Sequence, residues 1–201
     1  MADPTAADAA VAVRRRAIVD RPWTAMRQVH GARVLEIDRP GAGLGEAADA
    51  AVSDVPGVAL AVLTADCAPV GLVSAEGVIG VAHAGWRGLV AGVIEAAVEA
   101  MRGLGATEIG AVVGPCIHPE CYPFGAADLD AVAVRLGPVV RADCASGGEA
   151  LDLPAAVRTS LERSGAQVLG EAGVCTACSP AYWSWRGGRD PQRQALVVWR
   201  R

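Results

Sequence analysis

The chain contains no lysine: its 18 basic residues are all arginine, set against 22 acidic residues for a formal net charge of −4. With Ala and Gly abundant, this reads as the coding bias of a GC-rich genome. The charge balance leaves no basic footprint for nucleic acid or an anionic membrane surface. Aromatic residues are scarce, at 4% with a single Phe. Apolar runs break well before the ~18 residues that a membrane span needs. The start, MADPTAADAAVAVRRR, lacks a basic region followed by an apolar core, so no secretory leader is expected. Six cysteines without such a leader read as free thiols or metal ligands, and the chain reads as cytoplasmic.

What is present is a core. At 201 residues and 52% hydrophobic, the chain can bury a substantial interior as one domain. Residues 1–22 are expected to be disordered or frayed, and 23–201 to form a single catalytic domain, monomeric or homodimeric. No internal repeat or linker is visible.

Alternation predicts a strand from Met26 to Ile37, broken at His30-Gly31, and the run Val58–Thr64 is short enough for a buried strand. Val70–Ser74 and Val78–Ala82 read as a hairpin around Ala75-Glu76-Gly77. Leu89–Met101 has helical periodicity and stops at Gly103 and Gly105; further helices are predicted at Ala126–Leu136 and Pro154–Ser164. Strands are expected at Ile109–Val113, Val168–Leu169, Tyr182–Trp185 and Gln194–Trp199. Many short strands with three or four helices, out of strict β-α alternation, predict an α+β fold.

Only three histidines occur, and two are flanked by glycine, His30 in Gln28-Val29-His30-Gly31 and His83 in His83-Ala84-Gly85-Trp86-Arg87-Gly88. Glycine lets backbone or ligand come close, which a packed core histidine seldom needs. Between them, Cys67 follows the most apolar strand. Two nitrogens and one sulfur on separate strand ends would leave a fourth tetrahedral position open, as in a catalytic metal site. From spacing alone, core packing stays open beside that reading. Arg87 stands where a turn meets a helix start, a place that suits an anion such as phosphate, or a simple pair with a carboxylate.

Cys116, Cys121, Cys175 and Cys178 could in principle form a four-thiolate zinc site, since Cys175 and Cys178 have a two-residue gap and Cys116 and Cys121 a four-residue one. Nothing in the sequence brings the pairs together. His118 reads as loop packing, and Cys144 as an ordinary small residue.

Taken in order, QVHGARV, ADAAVSDVPGVALAVLTADCAPVGLV, VAHAGWRGLVAGV, GPCIHPECY and CTACSPAYWSWRGG resemble the multicopper polyphenol oxidase or laccase-domain (YfiH/YlmD-like) family, from Gln28 to about Val198. The resemblance implies mixed β-sheets packed between flanking helices, related to the fold of cysteine deamidase toxins. It implies a purine nucleoside phosphorylase acting on adenosine, inosine, guanosine and methylthioadenosine, with adenosine deaminase activity alongside. It also implies zinc on His30, Cys67 and His83. Copper is less expected, because three histidines are too few for a multicopper centre. The expected partners are therefore a purine nucleoside and phosphate.

On this reading the catalytic set is Cys67, His83, His30 and Asp66, the last as a proton carrier or a support for the thiolate, with a turn or cap role equally open. Arg87 and Arg186 are the candidate phosphate ligands, Ser184 a candidate ribose or phosphate contact, and Trp86 a stacking platform; Trp86, Trp183 and Trp185 read as packing residues otherwise. The chain departs from the family pattern in lacking Gly-Gly-Val-Ser-type and Asn-Leu segments before Gln-Val-His. It also has Pro123 where an acidic residue is usual, and Gly187 in place of a paired arginine. Other readings are a cysteine-dependent amidase editing peptidoglycan precursors, a copper phenol oxidase, and a degenerate nucleoside-binding protein.

Overall fold

Short runs of Ala, Val, Ile and Leu, alternating face by face, build three sheets in the computed structural model, which describes residues 9–200. The strands are β1 (Trp23–Ala25), β2 (Val34–Glu36), β3 (Ala50–Ser53), β4 (Ala59–Thr64), β5 (Ala68–Ser74), β6 (Ile79–Ala84), β7 (Ile109–Val113), β8 (Arg141–Asp143), β9 (Glu149–Leu151), β10 (Gln167–Glu171) and β11 (Gln194–Trp199). The helices are α1 (Ala9–Ile18), α2 (Trp86–Ala91), α3 (Val93–Gly103), α4 (Ala126–Leu136), α5 (Leu153–Ser164) and α6 (Trp185–Gly188). A six-stranded mixed sheet runs in the order β10-β7-β5-β6-β3-β2, a three-stranded sheet in the order β1-β4-β11, and β8 pairs with β9. The fold is α+β.

Residue parity sorts the two faces of the large sheet. Ala50, Val52, Val70, Leu72, Ala82 and Ala84 join Leu89, Ile94 and Met101 in a core between sheet and helices. Ala51, Ile79 and Val81 point the other way, into a second core with Leu60 and Val62 of the three-stranded sheet. Leu60, Leu72, Ile94 and Met101 are fully buried, and each such side chain stabilises the fold by about 1.5–3 kcal/mol. The sheets meet closely at Gly71, where an added Cβ would lie 3.0 Å from Val198 Cγ2 and 3.2 Å from Leu196 Cδ2.

Two crossings between the sheets place the chemistry. Residues 26–33 carry the chain from β1 to β2, and Ala65-Asp66-Cys67 carries it from β4 to β5. His83 lies near the end of β6, paired with Pro69 of β5. Both crossings therefore open at the edge where β6 finishes.

Several expectations need correcting. The helix expected over Leu89–Met101 is two helices, because Gly92 takes a left-handed φ of 87° and caps both. The strand expected at Tyr182–Trp185 is a loop leading into α6, since the Ser184 hydroxyl accepts from Gly187 N–H and turns the chain. Met26–Ile37 is a strand only near its end, because the N–H groups of residues 29–31 bind the Asp49 side chain instead of a neighbouring strand. In the segment expected to be frayed, Ala9–Ile18 is helical, consistent with Ala-rich propensity and with Arg15 and Arg16 at the negative end of its dipole. Residues 1–8 lie outside the described residues.

Candidate functional site

Gln28 starts the site. Its amide reads β4 like a missing strand, donating to Leu63 O at 2.7 Å and accepting from Leu63 N at 2.9 Å. The next three residues wrap one buried carboxylate: Val29 N–H and Gly31 N–H donate to Asp49 Oδ2, and His30 N–H donates to Asp49 Oδ1 at 2.9 Å. His30 sits there at a φ of 61°, a left-handed conformation that non-glycine residues adopt only when their surroundings hold it. Asp49 also accepts from His83 Nδ1 at 2.8 Å, which places a ring proton on Nδ1 and leaves Nε2 as the nitrogen available to a metal. Asp49 was not singled out from the sequence. The available signal was a lone carboxylate within an otherwise small and apolar stretch, ADAAVS.

The structure brings His30, Cys67 and His83 together. Their ligand atoms all lie within 4.8 Å of one another, with His30 Nε2 3.7 Å from Cys67 Sγ and the two imidazoles edge to face. His83 is buried, Cys67 partly buried and His30 exposed, so the cluster is open on one side. Gly85 makes room for it: an added Cβ would lie 2.9 Å from His30 Cδ2 and 3.0 Å from Cys67 Sγ.

Burial alone would push the Cys67 thiol up, but the charge of His83 and hydrogen bonds from His30 and His83 outweigh it and bring the thiol down to about 6. Burial pulls His83 down, while the Cys67 charge and Asp49 lift it to about 9. Asp49 is likewise held below its ordinary value: burial opposes this, but the His83 hydrogen bond and the main-chain donors prevail. The metal-free cluster is thus a thiolate–imidazolium pair on a carboxylate.

These residues fit a zinc-type metal. Zinc bonds of about 2.0–2.1 Å to nitrogen and 2.3 Å to sulfur at tetrahedral angles set N and S about 3.6 Å apart, close to the 3.7 Å between His30 Nε2 and Cys67 Sγ. The carboxylate on the far ring nitrogen of His83 is the usual orienting partner of a metal-bound histidine.

Asp66 is held in a buried set of hydrogen bonds. Its Oδ1 accepts from Thr176 Oγ1 and Ser184 Oγ, both at 2.7 Å, and its Oδ2 from Arg186 N at 2.6 Å. It clamps the segment after β10 to the crossing that bears Cys67, from a positive φ of 93°. The Ser184 hydroxyl, expected to meet ribose or phosphate, donates to Asp66 and accepts from Gly187 N–H, and it is buried. These bonds match the turn or cap role held open for Asp66 and give Ser184 partners within the protein.

Arg87 is exposed, and its guanidinium lies 4.2 Å over the Trp86 ring, covering one face of the expected stacking platform. Trp86 meets Phe124 edge to face, Phe124 meets Tyr122 the same way, and Arg186 lies 5.1 Å over Tyr122. An aromatic row with a guanidinium at each end therefore flanks the cluster. Tyr122 and Phe124 were not singled out from the sequence, where the departure at Pro123 was the feature noted in that loop. Trp183 and Trp185 are half exposed and lie outside this row. Two open pockets, of about 330 and 460 Å³, are lined by later parts of the chain and include none of the three cluster residues.

A family model described as multi-copper polyphenol oxidoreductase laccase matches residues 5–201. A purine nucleoside phosphorylase of Streptomyces coelicolor is 43% identical over 178 residues, covering 87% of this chain and 73% of that protein. A purine nucleoside phosphorylase of Mycobacterium bovis is 36% identical, covering 98% of this chain and 81% of its own. Among solved structures, YlmD from Geobacillus stearothermophilus superposes with a TM-score of 0.83 at 28% identity, over 95% of this chain and 80% of that one.

Proposed function

The chain belongs to the multi-copper polyphenol oxidoreductase laccase family, and on that premise we propose that it is a zinc-dependent purine nucleoside phosphorylase with adenosine deaminase as a side activity. The observation that carries this reading is the grouping of His30, Cys67 and His83 around one open position, with Asp49 orienting both histidines. The relatives named purine nucleoside phosphorylase, at 43% and 36% identity, supply the substrate class. Adenosine, inosine, guanosine and methylthioadenosine are the proposed nucleosides.

In phosphorolysis a phosphate oxygen bonds to C1′ of the sugar as the C1′–N9 bond breaks. The departing purine keeps the electron pair and takes up a proton, giving free base and sugar 1-phosphate. Arg87 and Arg186, one at each end of the aromatic row, are the proposed phosphate ligands, since a guanidinium fork matches two phosphate oxygens. For a purine to stack on Trp86, Arg87 must leave the ring face it covers or the opposite face must serve. Zinc at the three ligands would act as a Lewis acid and lower the pKa of water for attack on purine C6 in deamination.

No described helix is long and apolar enough to cross a membrane. A cytoplasmic location belongs to the same proposal, supported by six free cysteines. Phosphate-dependent release of base from the four nucleosides tests the activity. It should be present in the wild type and lost in Cys67→Ala and His83→Ala. Equal background rates in all three proteins would end the proposal.

One observation favours a second reading, in which Cys67 is itself a nucleophile: its thiol is already depressed to about 6 by His83 without any metal. An amidase of that kind would cleave peptidoglycan-precursor amides in the presence of a chelator. A phosphorylase dependent on zinc would lose its activity there.

A further inference from the structure

The sequence holds a Cys175-Thr176-Ala177-Cys178 pair that the site above does not use. The fold brings it against the short 3-10 turn Pro119–Cys121. Thiols of Cys121, Cys175 and Cys178 and the carboxylate of Glu120 offer ligand atoms that all lie within 4.8 Å of one another. Cys121 Sγ is 3.0 Å from Cys178 Sγ, and Cys178 Sγ is 3.7 Å from Glu120 Oε1. Cys116, which sequence spacing had paired with Cys121, is not in this group; Glu120 takes its place.

We propose that Cys121, Cys175, Cys178 and Glu120 form a second metal site, structural in kind, for a thiophilic divalent cation of the zinc type. Three soft sulfurs and one carboxylate are a donor set that such a cation accepts, and four protein donors leave no open position, as structural zinc sites require. The main chain brings the donor loops together, and Cys121 Sγ and Cys178 Sγ would part from 3.0 Å to the about 3.8 Å of two thiolates on one tetrahedral zinc. Cys116 and Cys175 form a parallel bridge, Thr176 N–H donates to Cys116 O at 3.0 Å, and Ala172 N–H donates to Val113 O at 2.9 Å. His118 N–H donates to Cys175 Sγ at 3.4 Å, the kind of support that a metal-bound thiolate commonly receives. His118 Nδ1 lies 3.9 Å from Glu120 Oε1.

The proposed site would staple two loops. One follows β7 and contains Ile117, whose N–H donates to Asp66 O; the other follows β10 and contains Thr176 and Ser184, whose hydroxyls donate to the Asp66 carboxylate. A metal there would fix the clamp that holds Arg186 and the Cys67 crossing, without touching the first cluster. This inference does not depend on zinc, or any activity, at His30, Cys67 and His83.

The test is stoichiometry in the full chain. A His30→Ala/Cys67→Ala double variant is incubated with zinc alone, desalted, and its metal counted by mass spectrometry. One zinc per chain is expected, falling to none when Cys178→Ser is added; Cys178 is exposed, so circular dichroism should report an intact fold. Adding Glu120→Ala instead should weaken retention against a chelator. The cobalt-substituted double variant should show thiolate-to-cobalt charge transfer from several sulfurs. A double variant that holds no stoichiometric zinc would overturn the site. So would a Cys121–Cys178 disulfide whose reduction restores two thiols but no zinc binding.

Discussion

Asp49 and His83 share a 2.8 Å hydrogen bond in which a fully buried carboxylate accepts from Nδ1 of a buried imidazole. The same carboxylate accepts the main-chain N–H of Val29, His30 and Gly31. One side chain therefore sets the tautomer of one histidine and the strained backbone of the other. The exposed His30 loop is built on the most buried acid of the cluster, which is an economical way to hold an open site rigidly.

Replacing Asp49 should break both histidines at once. Asp49→Ala leaves three N–H groups and His83 Nδ1 without their acceptor, and breaking a buried charged network of this kind costs about 3–5 kcal/mol. Asp49→Asn preserves volume but offers an amide where His83 needs a carboxylate. Zinc affinity should fall about 10–100-fold, the usual effect of losing a histidine's orienting partner. Thermal unfolding and zinc titration of both variants check this; an Asp49→Asn protein with wild-type affinity would contradict it.

Gly85→Ala separates site from scaffold. The new methyl would sit 2.9 Å from His30 Cδ2 and 3.0 Å from Cys67 Sγ, so the two ligands must move apart or the strand end must shift. Gly85 has an ordinary φ of −79°, so alanine brings no backbone strain there. Zinc retention and turnover should drop sharply while the melting temperature changes little. If metal content is unchanged, the cluster is looser than its geometry implies.

The thiolate–imidazolium pair makes a pH prediction whose two parts oppose each other. Cys67 is depressed from 9.0 to about 6, so its contribution to stability is complete above pH 9 and lost as pH falls toward 6. His83 is raised from 6.5 to about 9, so its contribution is complete below pH 6.5 and lost as pH rises through about 9. Between these limits the pair holds one proton in both folded and unfolded chains. Stability of the chelated protein should therefore be nearly flat there. Alkylation is the informative probe: peptide mapping after iodoacetamide treatment should place half-maximal modification of Cys67 near pH 6. Asp49→Asn should raise that midpoint by weakening the imidazolium. A wild-type midpoint near 9 would show that the pair does not form.

How much of this was legible beforehand follows from where each signal lies. Glycine beside His30 and His83, and the place of Cys67 after the most apolar strand, made the three candidates, but core packing stayed open until the family resemblance grouped them. Their partner Asp49 was not among them, because its importance comes from burial, and a buried aspartate in an Ala-rich stretch looks like any solvated one. Strands with strong β-branched runs, such as Ile109–Val113, were placed to the residue, whereas Ala50–Ser53 was missed because small residues carry little strand propensity. Gly92 was invisible as a break because the apolar period continues through it; only its left-handed φ divides the helix. The aromatic pattern of Tyr182–Trp185 pointed to a strand, but the Ser184 hydroxyl, committed to Asp66 and Gly187, turns the chain instead.

Asp66 offers a test between carrying protons and holding structure. Thr176 Oγ1, Ser184 Oγ and Arg186 N–H donate to its carboxylate, all from the segment after β10. A hydrogen bond to a charged group contributes about 1.5–3 kcal/mol, so Asp66→Ala should lower stability by at least about 3 kcal/mol. The conservative Asp66→Asn keeps one acceptor oxygen and a side chain that tolerates positive φ, so it should recover part of that loss. If Asp66 only positions the segment, both variants weaken phosphate binding by freeing Arg186, raising KM for phosphate more than they lower kcat. The pH–rate profile then keeps its shape. A proton carrier would behave otherwise: Asp66→Asn would stay stable, lose kcat at unchanged KM, and drop one ionisation from the profile. The hydrogen bonds predict the first pattern, and the split between kcat, KM and melting temperature decides it.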